Sequence, residues 1–450
     1  MRVKKHRRSG LRLDTYDWPA HRPSALPECV VTVFGVLFLF CHCDKLCDQM
    51  GYFSKENVNT GRQLEIDMLR AFCIVCMIFD HVYEELAEEL VGAYVFFDFA
   101  STFIGAAAFM ICMGIGMRYS KHKEPGDLVK RGLELLTIGQ LLNIVRSSLP
   151  SLIAYWITGK DYFLSNSMLV IQADILSFAG LAFIFLALLK RLRIPDTAIL
   201  ALGFAMNILT YILYLNVSSP DSFLVSQLLG YFVVTDAESF FTLGSYFIFV
   251  AVGYYIGGLY PRIKDKDGLA NKVLLVCVPV CAVYYAVRMT VDISFLPEFN
   301  ENEQYVLNPA TDAIATCMVS FILLALFHKL TPFLSEKLKN VVKHLSVHIN
   351  EYYCISYMFT ILAMMAALVL FGTRISGWII HFAYGIVIIV CCYFIIEYND
   401  NHFRFHIVTL QGKSRIIVYT AIWLTTSIIV TYVYPRITEY ATFWNDYLLP

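Results

Sequence analysis

Uninterrupted apolar stretches recur along the chain, at roughly 66–83, 95–117, 133–157, 168–189, 197–215, 240–259, 273–291, 311–328, 352–371, 377–396 and 416–434. Each has about 17–25 residues, the length a helix needs to cross a hydrocarbon core of about 30 Å. A spanning segment must satisfy its own backbone hydrogen bonds, which a helix does. The expected fold is therefore all-α: a polytopic integral membrane bundle of about 10–11 transmembrane helices. The stretch 223–234 is apolar but short, and fits a re-entrant or interfacial segment or the start of a longer sixth helix.

The pattern divides the chain in two. Residues 1–60 form a basic, partly apolar N-terminal segment, and residues 61–450 form the multi-span domain. Within the first segment, 29–43 is apolar but rather short to span; an extra span, a surface helix and an over-extended start at Met1 rather than Met50 all stay open.

Composition narrows the class. The chain is 58% apolar and 16% charged, with a mean hydropathy of +0.60. A soluble domain is about 45–50% apolar and about 25% charged. The formal net charge of −1 gives no general basic excess for nucleic acid. Most of the 13 cysteines sit inside apolar runs, where Cys behaves as a small hydrophobe. Cys41, His42, Cys43 and Cys47 resemble half of a zinc site, but such sites pair two halves, so no metal is expected.

Loop charges give an orientation. With the first helix running outward, the inside loops hold 19 Lys and Arg and the outside loops 3. That asymmetry predicts a cytoplasmic N-terminus and an extracytoplasmic C-terminus. The expected setting is a bacterial cell membrane.

Ionisable residues inside spans cost about 2.5–3.5 kcal/mol each on insertion scales, so they are functional candidates. The first helix is the most loaded, reading Arg62-Gln-Leu-Glu65-Ile-Asp67-Met-Leu-Arg70 and then, after nine uncharged residues, Asp80-His81. Eleven residues bring Arg70 and His81 to one helix face, about 16 Å apart along the axis. Asp67, at i−3, is placed to neutralise Arg70. A structural account of the same residues has Arg70 snorkelling to headgroups and His81 marking the outer interface.

The motif Arg62-x-x-Glu65-Ile-Asp67-x-Leu-Arg70, followed after ten intervening residues by His81, resembles the opening of two related groups of transmembrane acyltransferases. These are the heparan-alpha-glucosaminide N-acetyltransferase-like proteins and acyltransferase family three. Ala108–Gly116 with Arg118-Tyr-Ser120, Leu128–Gly132, Asp174–Gly180 and Tyr246–Gly253 are similar to stretches of the first group. Ala71 stands where these families usually have Gly, and the phenylalanine-rich second helix of family three is missing. The resemblance implies an acyl-CoA donor on the cytoplasmic side, an acceptor on the other, and a membrane-embedded His that assists transfer.

Candidate roles follow from that scheme. His81 is the expected base or transient acyl carrier, oriented by Asp80 or Asp98, with Arg70 holding the donor. Arg118, Lys130 and Arg131 are candidates for the phosphates of acyl-CoA, acetyl-CoA being favoured by the resemblance. Asn143, Arg146, Gln172 and Asp174 are candidates for a glycan, amino sugar or small-molecule acceptor. His348 could touch the donor or, equally, belong to a polar cluster at a helix start. Arg288 is expected to pair with Asp292, and Asp312 to face solvent. The expected partners are the lipid bilayer, acyl-CoA and the acceptor, with no nucleic acid; a homodimer stays open. The competing class is a multi-span transporter or flippase, against which no inverted repeat and no paired broken helices are visible.

Overall fold

A computed structural model of the chain describes residues 51–87, 93–120, 124–220, 222–235, 240–291, 296, 307–403 and 412–437. The apolar stretch 29–43, the Cys41–Cys47 group and Asp292 lie outside the described residues. Within them, the regular elements are helices, and β pairing is confined to isolated bridges, Phe53 with Ile263 and Ala87 with Ile375. The chain is an all-α, multi-pass integral membrane protein.

Each of the eleven apolar runs falls on a helical segment. Helix α1 is Leu64–Leu86. Helix α2 (Ala93–Phe99) passes through a π-helical segment, Ala100–Gly105, into α3 (Ala106–Tyr119). Helix α4 (Pro125–Asn143) passes through a second, Ile144–Ser148, into α5 (Leu149–Thr158). Then come α6 (Ile175–Arg191), α7 (Asp196–Asn216), α8 (Leu243–Leu259) and α9 (Lys266–Thr290). After these come α10 (Ala310–Leu330), α11 (Glu336–Val347), α12 (Ile349–Phe371), α13 (Trp378–Tyr398) and α14 (Gly412–Val433).

Among the described residues, seven helices, α7 to α10 and α12 to α14, are long and apolar enough to cross a membrane by length and composition. The other four expected spans depart for physical reasons. Helix α1 is 23 residues long but carries many charges. Two are interrupted by π segments, and α6 has 17 residues. The run expected from 168 begins its α-helix at Ile175, because Ser167–Ile171 is a 3-10 turn followed by an extended entry at Gln172 and Asp174. The short stretch 223–234 contains one brief helix, Phe223–Leu229.

Helix α1 is the hub, with α3, α10, α11, α12 and α13 packed around it. Helix α8 is apolar on all sides and accordingly buried on all sides. It meets α3 where Gly114 faces Gly253: a Cβ on Gly114 would collide with the Val250 carbonyl, and one on Gly253 with that of Ile111. Such close backbone approach is how membrane helices gain contact without a hydrophobic driving force. Gly114 is therefore a helix-packing position within α3, which runs on to Tyr119. The outermost helices α9, α13 and α14 present Leu275, Val283, Ile379, Phe394 and Leu424 outward, the residues lipid tails accept.

Loops that the charge pattern assigns to one side meet at one end of the bundle. Lys329 pairs with Asp267 at 2.7 Å, Arg118 with Asp196 at 2.9 Å and His344 with Glu397 at 3.3 Å. At the opposite end the Arg374 guanidinium donates to the Glu84 carbonyl at 2.9 Å. These are called the basic and the acidic side below.

Candidate functional site

Helix α1 turns one stripe toward an internal chamber: Cys73, Ile74, Met77, Asp80, His81, Glu84 and Glu85. Facing it are Asp98, Ser101 and Gly105 from α2 and the first π segment, and Arg146 and Ser147 from the second. A π turn widens the helix by one residue and occurs often at functional sites. Here both π segments line the chamber. Asn166, Gln172 and Asp174 come from the entry to α6, and Asn350, Tyr353, Tyr357 and Met364 from α12. The interior admits water centres over ≈ 170 Å³. From Cys73 to Glu85 along α1 the chamber runs about 18 Å, and from Ile349 to Met364 along α12 about 22 Å. It thus extends from near the basic side to the acidic side.

The polar wall is connected. The Arg146 guanidinium lies 3.3 Å from the Asp174 carboxylate and donates to Gln172 Oε1 at 3.4 Å. The Tyr353 hydroxyl donates to Asp174 Oδ1 at 2.6 Å. An Asp before an apolar helix ordinarily caps it. Asp174 stands at that position on α6, yet its side chain makes no cap bond and turns to Tyr353 and Arg146 instead. Asn143 does not line the chamber; it holds the segment that does, donating to the Gln172 and Val170 carbonyls at 3.1 and 3.4 Å.

His81 stacks on Tyr357, with ring centroids 4.1 Å apart and planes 20° from parallel. Its Nδ1 is buried and makes no hydrogen bond among the described residues. Asp80 and Asp98, the carboxylates expected to orient His81, line the same chamber. The carboxylates of Asp80, Glu84, Glu85, Asp98 and Asp174 outnumber the cation of Arg146 along its wall.

The donor-side candidates lie elsewhere. Arg70 sits one turn beyond Cys73 toward the basic side and donates to the Cys112 carbonyl at 3.1 Å. Gly116 leaves room for it, since a Cβ there would come within 2.9 Å of the guanidinium. Asp67 does not neutralise Arg70. It accepts from Arg62 Nε and from Ser346 Oγ, both at 2.6 Å. Glu65 is likewise engaged, by Lys266 and Tyr260, each at 2.6 Å. Arg118 is committed to Asp196 and the Tyr254 hydroxyl, and Arg131 to Glu134, which Arg415 also braces. Lys130 is exposed, and neither Arg118, Lys130 nor Arg131 lines the chamber.

One further expectation is corrected, that of Asp312. Arg288 pairs with Asp312, at 3.3 Å, while its expected partner Asp292 lies outside the described residues. Asp312 is fully buried, not on a solvated face, because α9 and α10 close over the pair and Tyr284 donates to it. His348, at the start of α12, pairs with Asp400 at 3.5 Å and has its ring 4.7 Å from that of His344, in a polar cluster at the helix start; it does not line the chamber.

A family model described as an acyltransferase domain, that of acyltransferase family 3, matches residues 63–397. The chain belongs to acyltransferase family 3. It is thus a membrane acyltransferase, and the matched segment contains every chamber residue named above. None of the curated proteins and none of the solved structures compared with the chain matches it. Of the two groups that the first-helix motif resembles, the match is to family 3, despite the missing phenylalanine-rich second helix. The finer likeness to the heparan-alpha-glucosaminide N-acetyltransferase group rests on the short stretches alone.

Tyr353, Tyr357 and Asn166 escaped the sequence reading. The available signal was a stripe on α12, with Asn350, Tyr353, Tyr357, Ile361 and Met364 recurring at helical spacing within an otherwise apolar span.

Proposed function

We propose that this acyltransferase moves an acyl group, acetyl by preference, from acyl-CoA on the cytoplasmic side to a glycan or amino sugar on the other. The observation that carries this reading is the His81-lined chamber, whose lining extends from near the basic side to the acidic side. The excess of basic loops supports placing the basic side in the cytoplasm. Coenzyme A is polyanionic and cannot cross lipid, so its nucleotide end stays at that side. Arg70, beside the basic end of the chamber, is placed to hold the donor, and the roughly 16 Å to His81 suits a threaded pantetheine arm.

At the acidic side the acceptor meets carboxylates. Asp80, Glu84, Glu85, Asp98 and Asp174 suit hydroxyl and ammonium donors. In the transfer step the acceptor oxygen or nitrogen attacks the thioester carbonyl carbon. His81 takes the proton released by the nucleophile. The carbon–sulfur bond breaks, and the coenzyme leaves as thiolate, which regains a proton to become the free thiol. The family likeness to amino-sugar acetyltransferases supports glucosamine as a first acceptor to test.

Sealed vesicles of known orientation test the sidedness. Labelled acetyl-CoA added at the basic side of the protein, with glucosamine at the other, should yield labelled acetylglucosamine in the acceptor compartment. Label retained wholly in the donor compartment while thiol is released would overturn transfer across the membrane.

A further inference from the structure

We propose that Tyr357 is the positioning residue of the His81 imidazole, fixing the plane of the ring by stacking where a hydrogen-bonded carboxylate is the common device. The proposal rests on the reading of His81 as the base of the transfer step. Its first support is the stack itself, at 4.1 Å and 20°. Its second is that His81 Nδ1 is buried without a hydrogen-bond partner among the described residues. No bond at that nitrogen sets the ring, so contact with a neighbouring surface must.

That surface is braced from behind. The Arg146 guanidinium carbon lies 4.3 Å from the same Tyr357 ring centroid. The near-parallel imidazole already covers one face of the phenol ring, so the guanidinium lies against the other. Arg146 is held in turn by Asp174 at 3.3 Å and Gln172 at 3.4 Å, and Asp174 by the Tyr353 hydroxyl at 2.6 Å. Tyr353 and Tyr357 are one turn apart on α12, with their rings edge to face at 5.9 Å. The series Tyr353, Asp174, Arg146, Tyr357, His81 therefore links three separate helices to one ring plane. A cation behind an aromatic ring and an imidazole stacked on its other face are both favourable contacts. The stack also leaves Nε2, on the ring edge away from Nδ1, as the nitrogen that serves the chamber.

Only the ring face of Tyr357 is used in this role, not its hydroxyl, and that sets the test. Thiol release from acetyl-CoA with glucosamine as acceptor is measured for the purified full chain in lipid nanodiscs, with Tyr357→Phe and Tyr357→Leu beside the wild type. The Phe variant should keep the wild-type kcat. The Leu variant should lose about 10²-fold in kcat, the scale of a misplaced catalytic group, with KM for acetyl-CoA unchanged. A spectroscopic readout stands apart from turnover. In protein labelled at histidine Cε1, the His81 resonance, identified by its loss in His81→Ala, should be shifted upfield by the ring current of Tyr357. It should keep that shift in the Phe variant and lose it in the Leu variant. A wild-type kcat for Tyr357→Leu, equal losses in the Phe and Leu variants, or an unshifted His81 resonance in the wild type would each overturn the positioning role. Should the Leu variant fail to fold, the wild-type resonance and the Phe variant still decide. Full thiol release by His81→Ala would instead overturn the base assignment while leaving the stacked resonance in place.

Discussion

The guanidinium of Arg146 and the carboxylate of Asp174 lie 3.3 Å apart with both side chains about 95% removed from solvent, joining the second π segment to the entry of α6. Breaking a buried pair leaves an uncompensated charge, at a cost of about 3–5 kcal/mol. Asp174→Asn should keep the Tyr353 hydrogen bond yet lower both thermal stability in detergent and acyl transfer. Arg146→Lys should also lose transfer, because a point charge cannot present a planar surface to Tyr357 and a second donor to Gln172. Unchanged melting temperature and turnover in Asp174→Asn would remove this pair from the site.

A second buried pair serves as a structural comparison. Arg288 and Asp312 join α9 to α10 and do not line the chamber. Asp312→Asn should lower stability by a similar few kcal/mol while leaving turnover per folded molecule intact. Replacing both residues by Leu should recover much of the loss, since two apolar side chains strand no charge in a lipid-facing helix pair. Melting curves and specific activity of the single and double variants distinguish the two buried pairs.

The contact of α3 with α8 depends on two missing side chains. Gly253→Leu places a side chain against the backbone of Ile111, which cannot yield as a flexible side chain would. Overpacking costs typically about 1–3 kcal/mol, and here the obstacle is backbone, so the upper end or more is expected. The measurement is the folded, monodisperse fraction after extraction. An unaltered fraction would show that the helices can separate without penalty.

The basic side carries a pH-dependent contact. His344 on α11 faces His348, Glu351, Tyr352, Tyr393, Glu397 and Asp400. Burial, and then the neighbouring His348, hold its imidazole below the ordinary value of 6.5, although Glu397 works in the other direction. A depressed folded value means that the unfolded chain binds the proton more readily. The stabilisation is therefore present above about pH 6.5 and is lost as pH falls below it. The melting temperature should drop between pH 7 and pH 5, and His344→Asn should flatten that drop.

Much of this was legible in the sequence, for a physical reason: a bilayer demands apolar runs of one length, and their charges sort to its two sides. That is why the helical runs and the shared ends of Lys329 with Asp267 or Arg118 with Asp196 could be anticipated. The chamber was only half legible. His81, Asp80, Asp98, Arg146, Gln172 and Asp174 announced themselves as polar residues in apolar surroundings, and all six line it. Tyr353 and Tyr357 did not, because tyrosine is at home in membrane helices and only tertiary packing shows which ring meets His81. Pairing was least legible. Asp67 lies closer in sequence to Arg70, but its partners are Arg62 and Ser346, the latter 279 residues away. Local spacing offers a partner without excluding distant ones.

The most direct measurement of the central claim is thiol release from acetyl-CoA, with glucosamine supplied as acceptor, by the purified protein in liposomes, compared with His81→Ala at equal folded amount. The expected result is release by the wild type that the variant abolishes, a loss of about 10²–10⁴-fold if the imidazole is the general base. Equal release by the two proteins would contradict the assignment of the chemistry to the His81 chamber.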